Sequence, residues 1–129
     1  MRTDYLIALS LAAGVALGAA AVQGLHAQAR PFGYVVGEIN VTDPEKFAKE
    51  FSPLARKALA EAPGHRALVL GGKIVPIEGD VPKARVVINV FENLDAAVQA
   101  YNSTAFKEAK GIGDKYATFR TYAVEGRSN

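Results

Sequence analysis

The spacing of apolar positions changes period several times along the chain, and each change marks an element. Residues 5–22 form one apolar run interrupted only by Ser10. From Phe32 to Val41 the pattern alternates instead. Val35, Gly37, Ile39 and Val41 share one face, with Tyr34, Val36, Glu38 and Asn40 on the other, the period of two of a β-strand. Asp43 then offers an N-cap carboxylate, Pro44 a pre-set first helical position and Glu45 a charge suited to the positive end of the helix dipole. Phe47, Phe51, Leu54, Ala55, Ala58, Leu59 and Ala62 follow at helical offsets, predicting a helix with one apolar stripe against a sheet. Pro53 removes a backbone donor inside that stripe, so a kink or break is expected near Glu50 to Ser52. Pro63-Gly64 ends the helix.

Ala67 to Leu70 and Lys73 to Ile77 read as a second strand region, with Gly71-Gly72 predicting a bulge or sharp bend. Gly79 to Pro82 is a turn, and Arg85 to Phe91 resumes as a strand that pairs back as a hairpin. Asn93 caps a helix carrying Leu94, Ala97, Val98 and Tyr101 on one side. Asn102-Ser103-Thr104 interrupts that helix, which continues through Phe106 and Ala109 to Gly111-Ile112-Gly113. Tyr116 to Glu125 supplies a last strand. The order strand, helix, strand, strand, helix, strand is the split βαβ arrangement of an α+β ferredoxin-like sandwich. Its second sheet face, with Val36, Val87, Phe91 and Tyr122 as expected members, is too apolar to remain wet, which predicts a homodimer packed sheet against sheet.

The leading segment directs the chain to a membrane. Arg2 and Asp4 precede the apolar run, and Ala27-Gln28-Ala29 follows it in the manner of a signal-peptide cleavage site, with the cut between Ala29 and Arg30. A helix of about 18 residues spans roughly 27 Å, near the lower limit for crossing a hydrocarbon core, so an uncleaved transmembrane anchor is the alternative. Gly14 and Gly18 stand four apart among alanines, a small-residue face able to pack closely on another membrane helix. Either way residues 30–129 form one domain, expected in the periplasm, beyond the cytoplasmic membrane: tethered or soluble.

Composition narrows the chemistry. The net charge is +2, from 15 Lys and Arg against 13 Asp and Glu. No basic run interleaves with aromatics, so a nucleic-acid surface is not expected. Cysteine is absent, which excludes disulfides, thiolate metal sites and a cysteine nucleophile. The paired glycines lack the Gly-Lys-Ser/Thr ending of a phosphate loop, and no serine has a nucleophile-elbow context. No cofactor is expected.

An ordered set of short motifs resembles a known family. Gly33-Tyr34, Glu38-Ile39, Val41-Thr42-Asp43-Pro44, Gly64-His65-Arg66, Gly71-Gly72-Lys73, Ile77-Glu78-Gly79, Arg85-Val86-Val87, Ala100-Tyr101-Asn102-Ser103 and Val124-Glu125-Gly126 are similar to the domain of unknown function 1330 family, DUF1330. The resemblance covers residues 32–126. It implies a dimeric ferredoxin-like domain of the dimeric α/β-barrel type and brings no established reaction. Two positions depart from the family pattern. Ser103-Thr104-Ala105-Phe106 replaces Ser-Pro-x-Tyr, losing a phenol hydroxyl, and Gly113 stands where relatives commonly carry arginine.

Four polar residues are candidates for a ligand pocket: Glu38, His65, Arg66 and Tyr101. His65 is the single histidine of residues 30–129 and can act as a general base or contact an anion, or simply stabilise the turn after Pro63-Gly64. Glu38 and Glu78 can serve acid–base chemistry, or pair across strands with Arg85, Lys73 or Arg66. Tyr34 and Tyr101 can stack on an aromatic ligand or pack in the core. These observations leave three functions open. One is a non-catalytic accessory subunit whose retained helix docks into a membrane assembly through Gly14 and Gly18. The others are a signal-cleaved homodimer that binds a small molecule, and a small enzyme using His65 or Glu38 as base.

Overall fold

The computed structural model describes residues 30–82 and 85–128; Gly14, Gly18 and the apolar run of residues 5–22 lie outside them. Strand β1 (Gly33–Val41) leads into a short helix α1 (Pro44–Lys46), a π-helical turn (Phe47–Phe51) and helix α2 (Ser52–Ala60). Strands β2 (Arg66–Leu70) and β3 (Arg85–Phe91), helices α3 (Leu94–Asn102) and α4 (Thr104–Gly113) and strand β4 (Ala117–Glu125) complete the order. The strands form one sheet in the order β2-β3-β1-β4, antiparallel at every pairing. This is the expected ferredoxin-like arrangement, with β1 and β3 at the centre.

The caps explain where the helices start. Asp43 Oδ1 accepts from the Lys46 amide at 3.2 Å, and Asn93 Oδ1 from the Ala96 amide at 2.8 Å. Ser103 serves two helices at once. Its backbone is extended (φ −63°, ψ 150°), its hydroxyl donates to the Ala100 carbonyl at 2.7 Å, and the same oxygen accepts from the Phe106 amide at 3.2 Å. The interruption predicted at residues 102–104 is therefore a hydrogen-bonded corner between α3 and α4.

Pro53 produces a wider turn rather than a break. In a regular helix its ring would press on the Lys49 carbonyl, which would also lose its donor. The chain instead opens into the π turn, where the Ser52 amide donates back five residues to Phe47 and the Ser52 hydroxyl donates to the same carbonyl at 3.3 Å. Phe47 and Phe51 both face inward, 6% and 5% exposed, with ring centroids 4.9 Å apart.

Two expectations are corrected. The second strand ends at Leu70 and does not resume over Lys73 to Ile77, and the ladder irregularity falls between Ala67 and Val69 rather than at Gly71-Gly72. After its amide donates to Val86 at 2.8 Å, Gly71 turns left-handed at φ +74° and carries the chain off the sheet. Ile77 beyond it is 97% exposed. The second correction concerns faces. Gly37 pairs with Val87 and Gly33 with Phe91, so Val87 and Phe91 lie on the helix side. Val36 and Tyr122 pair with each other on the outer side, as expected.

The helix side holds two clusters. Val35, Leu59, Phe91, Ala97 and Ala100 form one, joined by Tyr101 and Phe106. Ile39, Phe47, Phe51, Ala109 and Ala117 form the other, joined by Val87 and Phe119. The sheet floor between them carries Gly37, whose missing side chain leaves the space open.

Candidate functional site

A cavity of about 480 Å³ occupies the gap between the helix side of the sheet and the helices. Its volume falls within the range of small-molecule sites. Gly37, Ile39, Val87 and Asn89 contribute to it from the central strands, Phe47 and Phe51 from the π turn, and Tyr101 and Phe106 from either side of the Ser103 corner. A Cβ at Gly37 would stand 2.9 Å from Val87 Cγ2, so glycine is the residue that keeps the floor low. Most of the wall is aromatic or aliphatic. Phe51 meets Phe119 edge-on at 5.4 Å between ring centroids, and Tyr101 meets Phe106 at 4.5 Å.

A chain of three polar side chains interrupts this apolar wall. Asn89 is 5% exposed and is reached from two elements. Its Nδ2 donates to the Tyr101 hydroxyl oxygen at 3.1 Å, and its Oδ1 lies 2.9 Å from His65 Nε2. With the amide so oriented, His65 donates through Nε2, and neutral imidazole then keeps its lone pair on Nδ1. The Tyr101 oxygen accepts from Asn89, which leaves its own O–H to donate elsewhere. Burial pushes the Tyr101 phenol up to about 12, against a smaller lowering by the Asn89 hydrogen bond, so the group is a neutral donor at physiological pH.

Local structure fixes each member of the chain. His65 follows Gly64 (φ +70°), where a Cβ would stand 2.8 Å from the Glu92 nitrogen. The Glu92 amide donates to Pro63 at 3.0 Å and the His65 amide to Ala62 at 3.2 Å, which ties the turn to the end of β3. The imidazole stands 5.2 Å from the Phe91 ring, centroid to centroid. Asn89 holds the inward register between Val87 and Phe91, and Tyr101 closes the last turn of α3.

Of the four polar candidates, His65 and Tyr101 line the cavity. Glu38 and Arg66 occupy the other side of the sheet, opposite Val86 and Val90 in register. Glu38 pairs across strands with Arg120 at 2.8 Å, a partner outside the three expected. Tyr34 pairs with Val90 on that same outer side. Asn89 was missed as a site residue, although a signal existed: it is the one polar side chain within Val86-Val87-Ile88-Asn89-Val90-Phe91 and shares the inward parity of Phe91. Among the described residues no three or more His, Asp or Glu side chains gather as a metal site. No helix among them is long and apolar enough to cross a membrane.

The two positions at which the resemblance implies other residues lie in different places. Phe106, where the resemblance implies a tyrosine, lines the cavity. Gly113 is buried beneath Phe51, and a Cβ there would stand 2.6 Å from the Phe51 ring. An arginine at this position is incompatible with Phe51 where it now sits.

Solved structures share this architecture. SnoaB, a cofactor-independent oxygenase from Streptomyces nogalater, matches with a TM-score of 0.57 and 22% identity over 77% of this chain and 96% of its own. A candidate antibiotic biosynthesis monooxygenase from Caulobacter crescentus matches with a TM-score of 0.54 and 18% identity, over 81% of this chain and 98% of its own. By sequence, the chain is 36% identical over 105 residues to a 4-phosphopantoate--beta-alanine ligase of Methanosarcina mazei, covering 75% of this chain but spanning only 40% of that relative's length. The family model for DUF1330, a domain of unknown function, matches residues 32–127, and the chain belongs to that family.

Proposed function

We propose that the domain binds a small, flat, largely apolar molecule bearing an oxygen function, and that His65 moves a proton on it. The carrying observation is the His65–Asn89–Tyr101 chain set into the wall of an apolar cavity. A buried amide reached from two sides holds both neighbours in one orientation, which is the preorganisation that proton transfer requires. In this reading His65 Nδ1 takes a proton from an acidic O–H or C–H of the ligand, giving imidazolium and a ligand anion. Tyr101 donates its O–H to the oxygen where that negative charge develops. The reverse transfer returns the proton. The fold shared with monooxygenase-type proteins supports a small-molecule role over a purely structural one, while the reaction itself rests on the site.

Binding of a panel of phenols and aromatic ketones, followed by calorimetry, tests this. Ligands that bind should lose at least about tenfold in affinity on Tyr101→Phe, the loss of one buried hydrogen bond to the ligand. Deprotonation of a bound phenol, read by its absorbance, should disappear in His65→Gln. A panel that binds no better to the wild-type chain than to Asn89→Ala contradicts the proposal.

A second arrangement concerns placement. Residues 1–29 retain the features of a signal peptide or anchor, and we propose that the domain works beyond the cytoplasmic membrane, soluble if cut after Ala29 or tethered through residues 5–22. The Gly14 and Gly18 face favours a membrane-helix partner, and with it an accessory role, in the tethered form. Intact mass of the purified protein separates the two: a mass beginning at Arg30 removes the tether. Tyr122 and Val124 on the outer sheet face are 46% and 49% exposed, which supports the proposed sheet-to-sheet homodimer. Sedimentation of Tyr122→Asp tests it by dissociation to monomer.

A further inference from the structure

Among the described residues the cavity is lined by four cationic side chains, Arg56, Arg85, Lys107 and Lys110, and by no carboxylate. They come from three elements, α2, β3 and α4. Lys110 is already engaged, pairing with Asp114 and lying 4.2 Å from the centre of the Phe119 ring. Arg56, Arg85 and Lys107 have no ion-pair partner among the described residues. Arg85 is nonetheless guided by its surroundings. Its side chain runs across Gly71, where a Cβ would stand 2.9 Å from Arg85 Cγ and 3.0 Å from its Cζ. At φ +74° Gly71 supplies both the turn and the room for the guanidinium to lie over the backbone.

This charge pattern is one-sided in a chain whose charges nearly balance, with 15 bases against 13 acids. The deep wall is aromatic and the polar chain at Asn89 is neutral in its phenol and amide, so among the described residues the cations supply the formal charge that a ligand meets. Cations around a low-dielectric cleft concentrate anions, and guanidinium groups match carboxylate geometry with paired donors.

Resting on the function proposed above, we infer that the natural ligand is an aromatic carboxylate. Its rings lie between the Phe51 and Tyr101 walls, its carboxylate meets Arg56, Arg85 and Lys107, and its second oxygen function reaches Tyr101. The cations thus set which molecules enter, while the His65 chain acts on the end that goes deepest.

Naphthoate and its uncharged methyl ester are matched probes, titrated by calorimetry into the full chain at low and high salt. Naphthoate should bind at least about tenfold more tightly than the ester, and high salt should shrink that ratio. In an Arg56→Gln/Arg85→Gln double variant the ratio should fall to about threefold or less, with ester affinity unchanged as the control for an intact cavity. Equal binding of the two probes to the wild-type chain overturns the charge assignment while leaving the site itself standing. Failure of both probes to bind overturns the site along with it.

Discussion

Replacing Asn89 by alanine removes the centre of the polar chain and leaves the fold around it in place. Two hydrogen bonds disappear, to Tyr101 at 3.1 Å and to His65 at 2.9 Å, and each neutral bond contributes a net stabilisation of about 0.5–1.5 kcal/mol. Both neighbours border the cavity, so water can replace part of what they lose. An expected destabilisation of about 2 kcal/mol follows, or a fall in Tm of about 8–16 °C for a domain of this size. Tyr101→Phe should cost about 1 kcal/mol, because it strands only one Asn89 donor. In the double variant that donor no longer exists, so the two changes should be sub-additive by about 0.5–1 kcal/mol. Urea unfolding monitored by circular dichroism measures all four corners of the cycle, with an unchanged m-value as the check that the unfolding surface is the same. An Asn89→Ala protein within 0.5 kcal/mol of wild type, or strict additivity, would refute the hydrogen-bonded chain, the change being too small for two lost bonds.

Other expectations follow from the same structure. The Tyr101 phenol is protonated in both folded and unfolded chains below pH 10, so its contribution is constant there. Between pH 10 and about 12 the unfolded chain loses the proton first and stability falls, by an amount on the order of 2 kcal/mol that Tyr101→Phe should abolish. Gly113→Ala should destabilise by about 1–3 kcal/mol in thermal melts, because its methyl group meets the Phe51 ring; Gly113→Arg should be worse. Ser103→Ala should lower stability by about 1–2 kcal/mol, since one hydroxyl serves both α3 and α4. Glu38→Gln, with its partner Arg120 exposed on the outer sheet face, should change stability by at most about 1 kcal/mol and leave ligand affinity unmoved.

Local chemistry carried most of the fold. The alternation in β1, the capping residues Asp43 and Asn93, the interruption at residues 102–104 and the run of β3 are all readable from neighbours in sequence, because each depends on side chains within a few residues of one another. The errors arose where the deciding partner is distant. Ile74, Val75 and Ile77 look like strand residues, yet after the Gly71 turn they pair with no strand among the described residues. Val87 and Phe91 alternate as well as Val86 and Val90 do, and only the pairing with β1 decides which set faces the helices. The Pro53 disturbance was foreseeable, but its form as a π turn depends on Phe47 and Phe51 finding space against β4. The site was half legible. His65 and Tyr101 stood out by residue type, whereas Asn89, which joins them, is an ordinary strand residue until β2, β3 and α3 are brought together.

A crystal structure of the full chain with naphthoate bound tests the site most directly. The rings should lie in the cavity between Phe51 and Tyr101, with the carboxylate beside Arg56 and Arg85 and the His65–Asn89–Tyr101 chain intact beneath them. Naphthoate on the outer sheet face with the cavity filled by side chains, or a cavity in which Asn89 contacts neither His65 nor Tyr101, would contradict it.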